Sequence, residues 1–225
     1  MHYSSFTTNK LKNCILFGKQ SHTQTTLSMT HFVRIFHQLI QVLIALAFIL
    51  MSACKGENFT YSNFHCNLYI DNNTHHDPTL ASAMNAMSPG VFCTIKYLPN
   101  RNAYFFTSNQ GQSSTNNFDA KDTERGNSSR IGMNNGLIVG YANLSDDGSG
   151  YHFYAFDAQC PVCFDYNAIP MRSYPLSING SGIATCANCK RQFNLNTGGN
   201  CINNTGQMTT YRATTTGPFG ILFIN

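Results

Sequence analysis

An all-β fold with little helix is predicted for the larger, C-terminal part of the chain, on three observations. Short runs rich in aromatic and β-branched residues recur between Gly, Pro and Asn turn signals. No stretch after Cys54 sustains apolar residues at helical spacing. Two C-x-x-C pairs, Cys160/Cys163 and Cys186/Cys189, interrupt those runs where turns are expected.

The elements follow in order. CNLYI at 66–70, GVFCTIKYL at 90–98 and AYFFT at 103–107 read as strands. Between the first two, Asp77 is a candidate N-cap with Pro78 at the first helical position, and Pro89-Gly90 would end a helix of one or two turns. Residues 108–130, polar and nearly without apolar anchors, read as a long surface loop. GLIVGYANL at 136–144 is a continuous apolar run suited to a buried strand. The turn DDGSG then leads into the alternating YHFYAFD at 151–157, giving a hairpin. The DDGSG acids lack the ligand spacing of a calcium loop. TTYRATTT and FGILFIN, joined by Gly217-Pro218, read as a terminal hairpin. Many short strands make this one domain, a β-barrel or sandwich.

The N-terminal part has a different character. Leu39–Met51, LIQVLIALAFILM, is uncharged and is followed by Ser52, Ala53 and Cys54. It is shorter than the roughly 20 residues a membrane-crossing helix needs, and it suits the apolar region of a secretory signal. Met51-Ser52-Ala53-Cys54 resembles a bacterial lipobox, which implies a lipid on the Cys54 thiol. An uncleaved anchor starting near Phe32 is the alternative. A start at Met29 would place Arg34 ahead of the apolar run. The expected organisation is a leader over 1–53 (1–28 an over-extended start, 29–53 a lipoprotein signal), a lipidated tether over 54–65, and one domain over 66–225.

Of the 14 Lys and Arg residues, Lys10, Lys12, Lys19 and Arg34 precede Cys54, whereas all 10 acidic residues follow it. The mature part is therefore balanced in charge, without the concentrated basic face that nucleic-acid binding needs. The expected partner is a membrane, reached through the lipid, and the expected location is the cell envelope. Lys55 stands where the resemblance would put an inner-membrane-retaining Asp. An outer membrane is therefore favoured where the host has one.

Each C-x-x-C can curl its backbone so that both sulfurs face one ion, and two such knuckles give a tetrahedral S4 site for zinc or a single iron. The 22 residues between Cys163 and Cys186 are near the spacing of two-knuckle sites. Local or crossed disulfides are the alternative, because an exported protein meets an oxidising compartment. Cys66 and Cys93 lie in strand-like segments and are expected to form a disulfide across a ladder, which leaves Cys201 odd.

YAFDAQCP, GIATCANCKRQFNLNTGG and YRATTTGPFGILFIN together resemble the Rieske-type ferredoxin domain over roughly residues 136–225, most specifically over 183–199. More narrowly, the chain resembles secreted bacterial lipoproteins with a Rieske-like fold. The resemblance implies metal-binding loops at 158–164 and 184–192. Phe193, Asn194, Leu195, Thr197 and Gly198 stand where that family has an aromatic, a small polar residue, Leu and a Thr-Gly turn. Cys160 and Cys186 match the loop cysteines, but Cys163 and Cys189 stand in place of the histidines. Two histidines on one iron are what raise the Rieske potential, so Rieske electron transfer is not implied. His65, His75, His76 and His152 are not placed to substitute for them and are expected to be surface or packing residues.

A zinc-pinned binding or interaction lipoprotein is the expected function. The alternative is an electron carrier with one iron or a two-iron two-sulfur cluster on Cys160, Cys163, Cys186 and Cys189. Thiol–disulfide chemistry ranks below both, because neither pair is followed by a helix whose N-terminus would lower a thiol pKa. No nucleophile–base pair, phosphate loop or dinucleotide fingerprint marks a catalytic site.

Overall fold

The computed structural model describes residues 33–44, 61–144 and 150–225. The chain divides into two units, residues 1–58 and 59–225. In the first, residues 33–44 form a helix, α1, exposed along its whole length. No helix among the described residues is long and apolar enough to cross a membrane. The predicted lipobox, Met51 to Cys54, lies outside the described residues, as does most of the DDGSG turn.

The second unit is built mainly of antiparallel strands. A six-stranded sheet runs in the order β11-β6-β5-β2-β3-β4, with β2 Phe92–Leu98, β3 Ala103–Ser108, β4 Ser113–Asn117, β5 Leu137–Tyr141, β6 Phe153–Asp157 and β11 Thr210–Tyr211. A three-stranded sheet joins β1 Leu68–Asp71, β13 Ile221–Ile224 and β12 Ala213–Thr215. A four-stranded sheet joins β10 Asn200–Cys201, β9 Gln192–Asn194, β8 Ile183–Cys186 and β7 Leu176–Ile178. Each order is open-ended. Of the barrel or sandwich expected from the sequence, no closed barrel forms among the described residues, and the all-β sheets are open layers.

Side-chain alternation explains the layering, because successive residues of a strand face opposite sides. On β5, Leu137 and Val139 join a core with Leu68 and Ile70 of β1 and Leu222 and Ile224 of β13. Ile138, between them, joins a second core with Ala184, Cys186 and Phe193 of the four-stranded sheet. Ala155 and Phe156 of β6 divide in the same way. A strand buried on both faces must be apolar throughout, which accounts for the uninterrupted LIV run.

Both predicted hairpins form. Leu137–Tyr141 pairs with Asp157–Phe153, and β12 pairs with β13 across Gly217. Thr210 and Tyr211, however, pair with β6 in the central sheet, so the chain changes sheets at Arg212. Gly182, at φ +75°, enters β8 where an added Cβ would stand 2.7 Å from Asn196 Nδ2 and 3.0 Å from Phe92 Cε2. A side chain there would be strained and would also press the four-stranded sheet off the central one.

The helix at 78 forms within the expected one or two turns. Helix α3, Pro78–Ala83, begins with Asp77 Oδ1 accepting the Leu80 N–H at 2.9 Å and stops well before Pro89. It follows α2, Asn72–His75.

The expected surface loop over 108–130 is a correction. It contains β4, then α4, Ala120–Glu124, and a 3-10 turn, Asn127–Ser129. Ser and Thr concealed a strand here because β4 is an edge strand, and polar edges resist pairing with other chains. Its alternate residues still turn inward. The Ser114 hydroxyl donates to Asp77 Oδ1 at 2.9 Å, and Asn116 Nδ2 donates to the His75 carbonyl at 2.9 Å.

Candidate metal centre

Two loops on the same side of the central sheet bring the paired cysteines together. The first leaves β6 and is anchored to the segment returning toward β7: the Cys160 N–H donates to the Tyr174 carbonyl at 2.9 Å, and the Leu176 N–H to the Ala158 carbonyl at 2.8 Å. Within it the Phe164 N–H closes onto the Cys160 carbonyl at 2.9 Å, and the N–H groups of Val162 and Cys163 point at the Cys160 sulfur. The second loop is the β8–β9 turn. There the Lys190 N–H donates to the Cys186 carbonyl at 3.0 Å, with Lys190 left-handed at φ +61°. The Arg191 N–H points at the Cys189 sulfur.

The four sulfurs lie within 4.8 Å of one another, close enough to hold a metal ion. Cys160 Sγ is 3.7 Å from Cys189 Sγ, and Cys186 Sγ is 3.8 Å from Cys163 Sγ. Sulfurs about 2.3 Å from one ion at tetrahedral angles are about 3.8 Å apart. A disulfide would need about 2.05 Å, and all four are free thiols. The alternative of local or crossed disulfides among them is therefore not formed in this arrangement.

Burial and hydrogen bonding set the sulfurs apart. Cys160 and Cys186 are buried, whereas Cys163 and Cys189 reach the surface in part. Burial pushes the Cys160 thiol up to about 12. Burial pushes Cys189 upward too, but the Arg191 N–H and the three neighbouring thiols donate to its sulfur and bring it down to about 7. Asn188 Nδ2, 3.2 Å from Cys163 Sγ, favours a thiolate there, yet burial and neighbouring sulfurs leave Cys163 raised. Four sulfurs that compete for protons in this way are suited to a shared cation, which lets all of them ionise.

The remaining cysteines stand apart. Cys66 precedes β1, whose ladder partner is β13, while Cys93 in β2 faces Ser108 and Val139. The ladder expected to oppose Cys66 and Cys93 is therefore not formed, and both are buried free thiols. The Cys66 thiol donates to the Arg130 carbonyl at 2.6 Å, and burial lifts its pKa to about 11. Cys201, half-buried, approaches Asn203 Oδ1 at 3.4 Å.

Among the described residues, no histidine joins the four cysteines. His65 approaches Asn225 Oδ1 at 3.3 Å, and His76 approaches the Thr74 carbonyl at 3.3 Å; both are exposed. His152 leads into β6 and lies beside the Tyr154 ring. His75 turns inward and packs edge-on against the Tyr104 ring, centroids 5.5 Å apart. Its side chain is 3% exposed, and Nε2 lies 2.9 Å from Asp122 Oδ2. His75, Asp119 and Asp122 form a second group with potential ligand atoms within 4.8 Å of one another. The Asp122 carboxylate beside it raises the His75 pKa against its burial; burial pushes Asp122 upward, but its polar neighbours hold it below the usual carboxylate value. The signal in the sequence was the D-x-x-D of a capping box, hidden within a segment read as loop.

Comparison with known proteins finds no matching family model, no similar curated protein and no similar solved structure.

Proposed function

We propose that this chain is an exported, lipid-anchored β-protein in which one structural zinc on Cys160, Cys163, Cys186 and Cys189 pins two loops beneath a binding or interaction surface. The observation that carries the metal assignment is the pair of cross-loop sulfur distances, 3.7 and 3.8 Å, which match the edge of a single-ion S4 tetrahedron. A two-iron cluster would insert two irons and two sulfides between the pairs, spreading them further than one ion does. The layered antiparallel sheets and the two knuckle loops support the resemblance to the Rieske-type domain, and the uncharged run ending at Cys54 supports the lipid anchor.

One iron in the same cage is the second reading. It is favoured by the partial exposure of Cys163 and Cys189, which leaves one edge of the cage near solvent, where an electron partner could dock.

Elemental analysis of the purified full chain, alongside its visible spectrum, separates the readings. Zinc without colour, with one equivalent lost in Cys186→Ser, is the expected result. Iron with thiolate-to-iron bands would transfer the assignment to electron transfer. Metal content unchanged in Cys186→Ser would overturn both. The anchor is tested through Cys54→Ser, which should release the protein from membranes; continued need for detergent extraction would exclude the lipobox.

A further inference from the structure

The second group lies around α4, away from the four cysteines. Asp119 caps α4, with Oδ1 accepting the Asp122 N–H at 2.7 Å, while Asp122 Oδ2 accepts the Asp119 N–H at 3.1 Å. Asp122 Oδ1 is held from behind by the Tyr104 hydroxyl at 2.8 Å and Asn127 Nδ2 at 3.0 Å. The cap leaves Asp119 Oδ2 without a hydrogen bond among the described residues.

His75 supplies the independent observation. Asn116 Nδ2 donates to the His75 carbonyl at 2.9 Å, which turns Asn116 Oδ1 toward His75 Nδ1, 3.2 Å away. An amide oxygen only accepts, so Nδ1 carries the proton and, in the neutral ring, Nε2 carries the lone pair. That Nε2 is buried and lacks an aligned hydrogen bond, although it lies 2.9 Å from Asp122 Oδ2. A lone pair facing a carboxylate oxygen at this distance calls for a positive charge between them, which either a second ring proton or a metal cation supplies. Two ligands at right angles and about 2.1 Å from one ion are about 3 Å apart. The surroundings also suit a ligand set: a metal-binding His commonly donates its other ring N–H to a fixed acceptor, and ligating carboxylates are hydrogen-bonded in turn.

We infer that His75 Nε2, Asp119 Oδ2 and Asp122 Oδ2 form a second metal site, for a divalent transition cation. Its chemistry differs from that of the first. One imidazole and two carboxylates are harder donors than four thiolates, so this site takes zinc or manganese and rejects the soft cations that a thiolate cage accepts. Three protein ligands leave further coordination positions for water or an incoming ligand, whereas four thiolates close a tetrahedron.

The test uses Asp119→Asn and His75→Gln in the full chain, saturated with zinc and desalted, with zinc per chain measured for each. Asp119→Asn keeps an oxygen to accept the Asp122 N–H, so the cap of α4 survives. Each variant is expected to bind one zinc fewer than the parent. Titration with Mn2+, followed by loss of the free-ion electron paramagnetic resonance signal, should show a site that Asp119→Asn weakens by at least about tenfold. Circular dichroism of the metal-free proteins should match, showing that Asp119→Asn leaves the fold intact. Equal zinc content in the parent and Asp119→Asn, with no Mn2+ bound by either, would overturn the site and leave His75 as an imidazolium paired with Asp122. The difference in zinc between parent and variant and the Mn2+ titration do not depend on the four cysteines, so this inference and the structural-zinc proposal can fail separately.

Discussion

Asp157, at the end of β6, accepts three hydrogen bonds: from the Met133 N–H at 2.7 Å, the Gln159 N–H at 2.8 Å and the Tyr211 hydroxyl at 2.8 Å. One buried carboxylate thus joins the turn before β5, the first cysteine loop and β11. Burial nevertheless outweighs these donors and raises its pKa above the ordinary carboxylate value. A carboxyl whose folded pKa is raised favours the fold most when protonated; that contribution is complete below its unfolded pKa and is lost as pH rises through the folded value. Other acids in the protein impose their own pH dependence, so the comparison is with Asp157→Asn, which does not titrate. The stability of the parent relative to Asp157→Asn should decline as pH rises from the mid-acid range toward neutrality. A relative stability that instead rises over that range would show that the donors win. Tyr211→Phe removes a buried hydrogen bond to a charged acceptor and should cost about 2 kcal/mol at neutral pH, read from urea unfolding.

Local elements were legible where chemistry and burial agreed. Asp77-Pro78 announced α3 through its cap and fixed first dihedral, and the apolar 136–144 run announced β5. Segment 108–130 misled because its order comes from a few polar contacts made far away in sequence: Ser114 to Asp77, Asn116 to His75, Tyr104 to Asp122. No local pattern encodes such partners. The grouping of the four cysteines was legible because two C-x-x-C knuckles at this separation can face one another, whereas the relation of Cys66 to Cys93 depended on sheet assignment, which strand-like sequence does not specify. Asp77 also shows that a cap can belong to two elements, since its Oδ1 accepts both the Leu80 N–H and the Ser114 hydroxyl. Asp77→Ala should therefore cost more than an isolated cap, about 2 kcal/mol against the ~1 kcal/mol typical of capping. Ser114→Ala should account for part of that cost, and chemical denaturation of the two single variants and the double variant would measure the coupling. Strict additivity would show that the cap and the edge strand are independent.

At the scale of the whole β-unit, the central sheet separates two cores, and the four grouped cysteines belong to one of them alone. One is wholly organic: Leu68, Ile70, Leu80, Ile95, Phe106, Val139, Leu222 and their neighbours fill it without help from the cysteine cage. The other places Cys160 and Cys186 among Ile138, Phe156, Ala184 and Phe193, so two ligands of the proposed ion are also core side chains. The four-stranded sheet on this side consists of strands of two to four residues, and strands this short hold few ladder hydrogen bonds. Removing the ion would leave thiols that must take up protons inside that core, together with two loops no longer tied to each other. Chelation should therefore lower the melting temperature by about 10 °C or more, corresponding to ~3–4 kcal/mol at roughly 2–4 °C per kcal/mol for a domain of this size. The loss should also be uneven. Amide hydrogen exchange should accelerate first in β7 to β10 and in the 158–164 loop, while the amides of β2, β3 and β5 keep most of their protection, as expected for local opening below the global unfolding energy. Equal acceleration in β3 and β8 would mean that the sheets unfold as one unit. No acceleration in either would mean that the cage carries no structural ion.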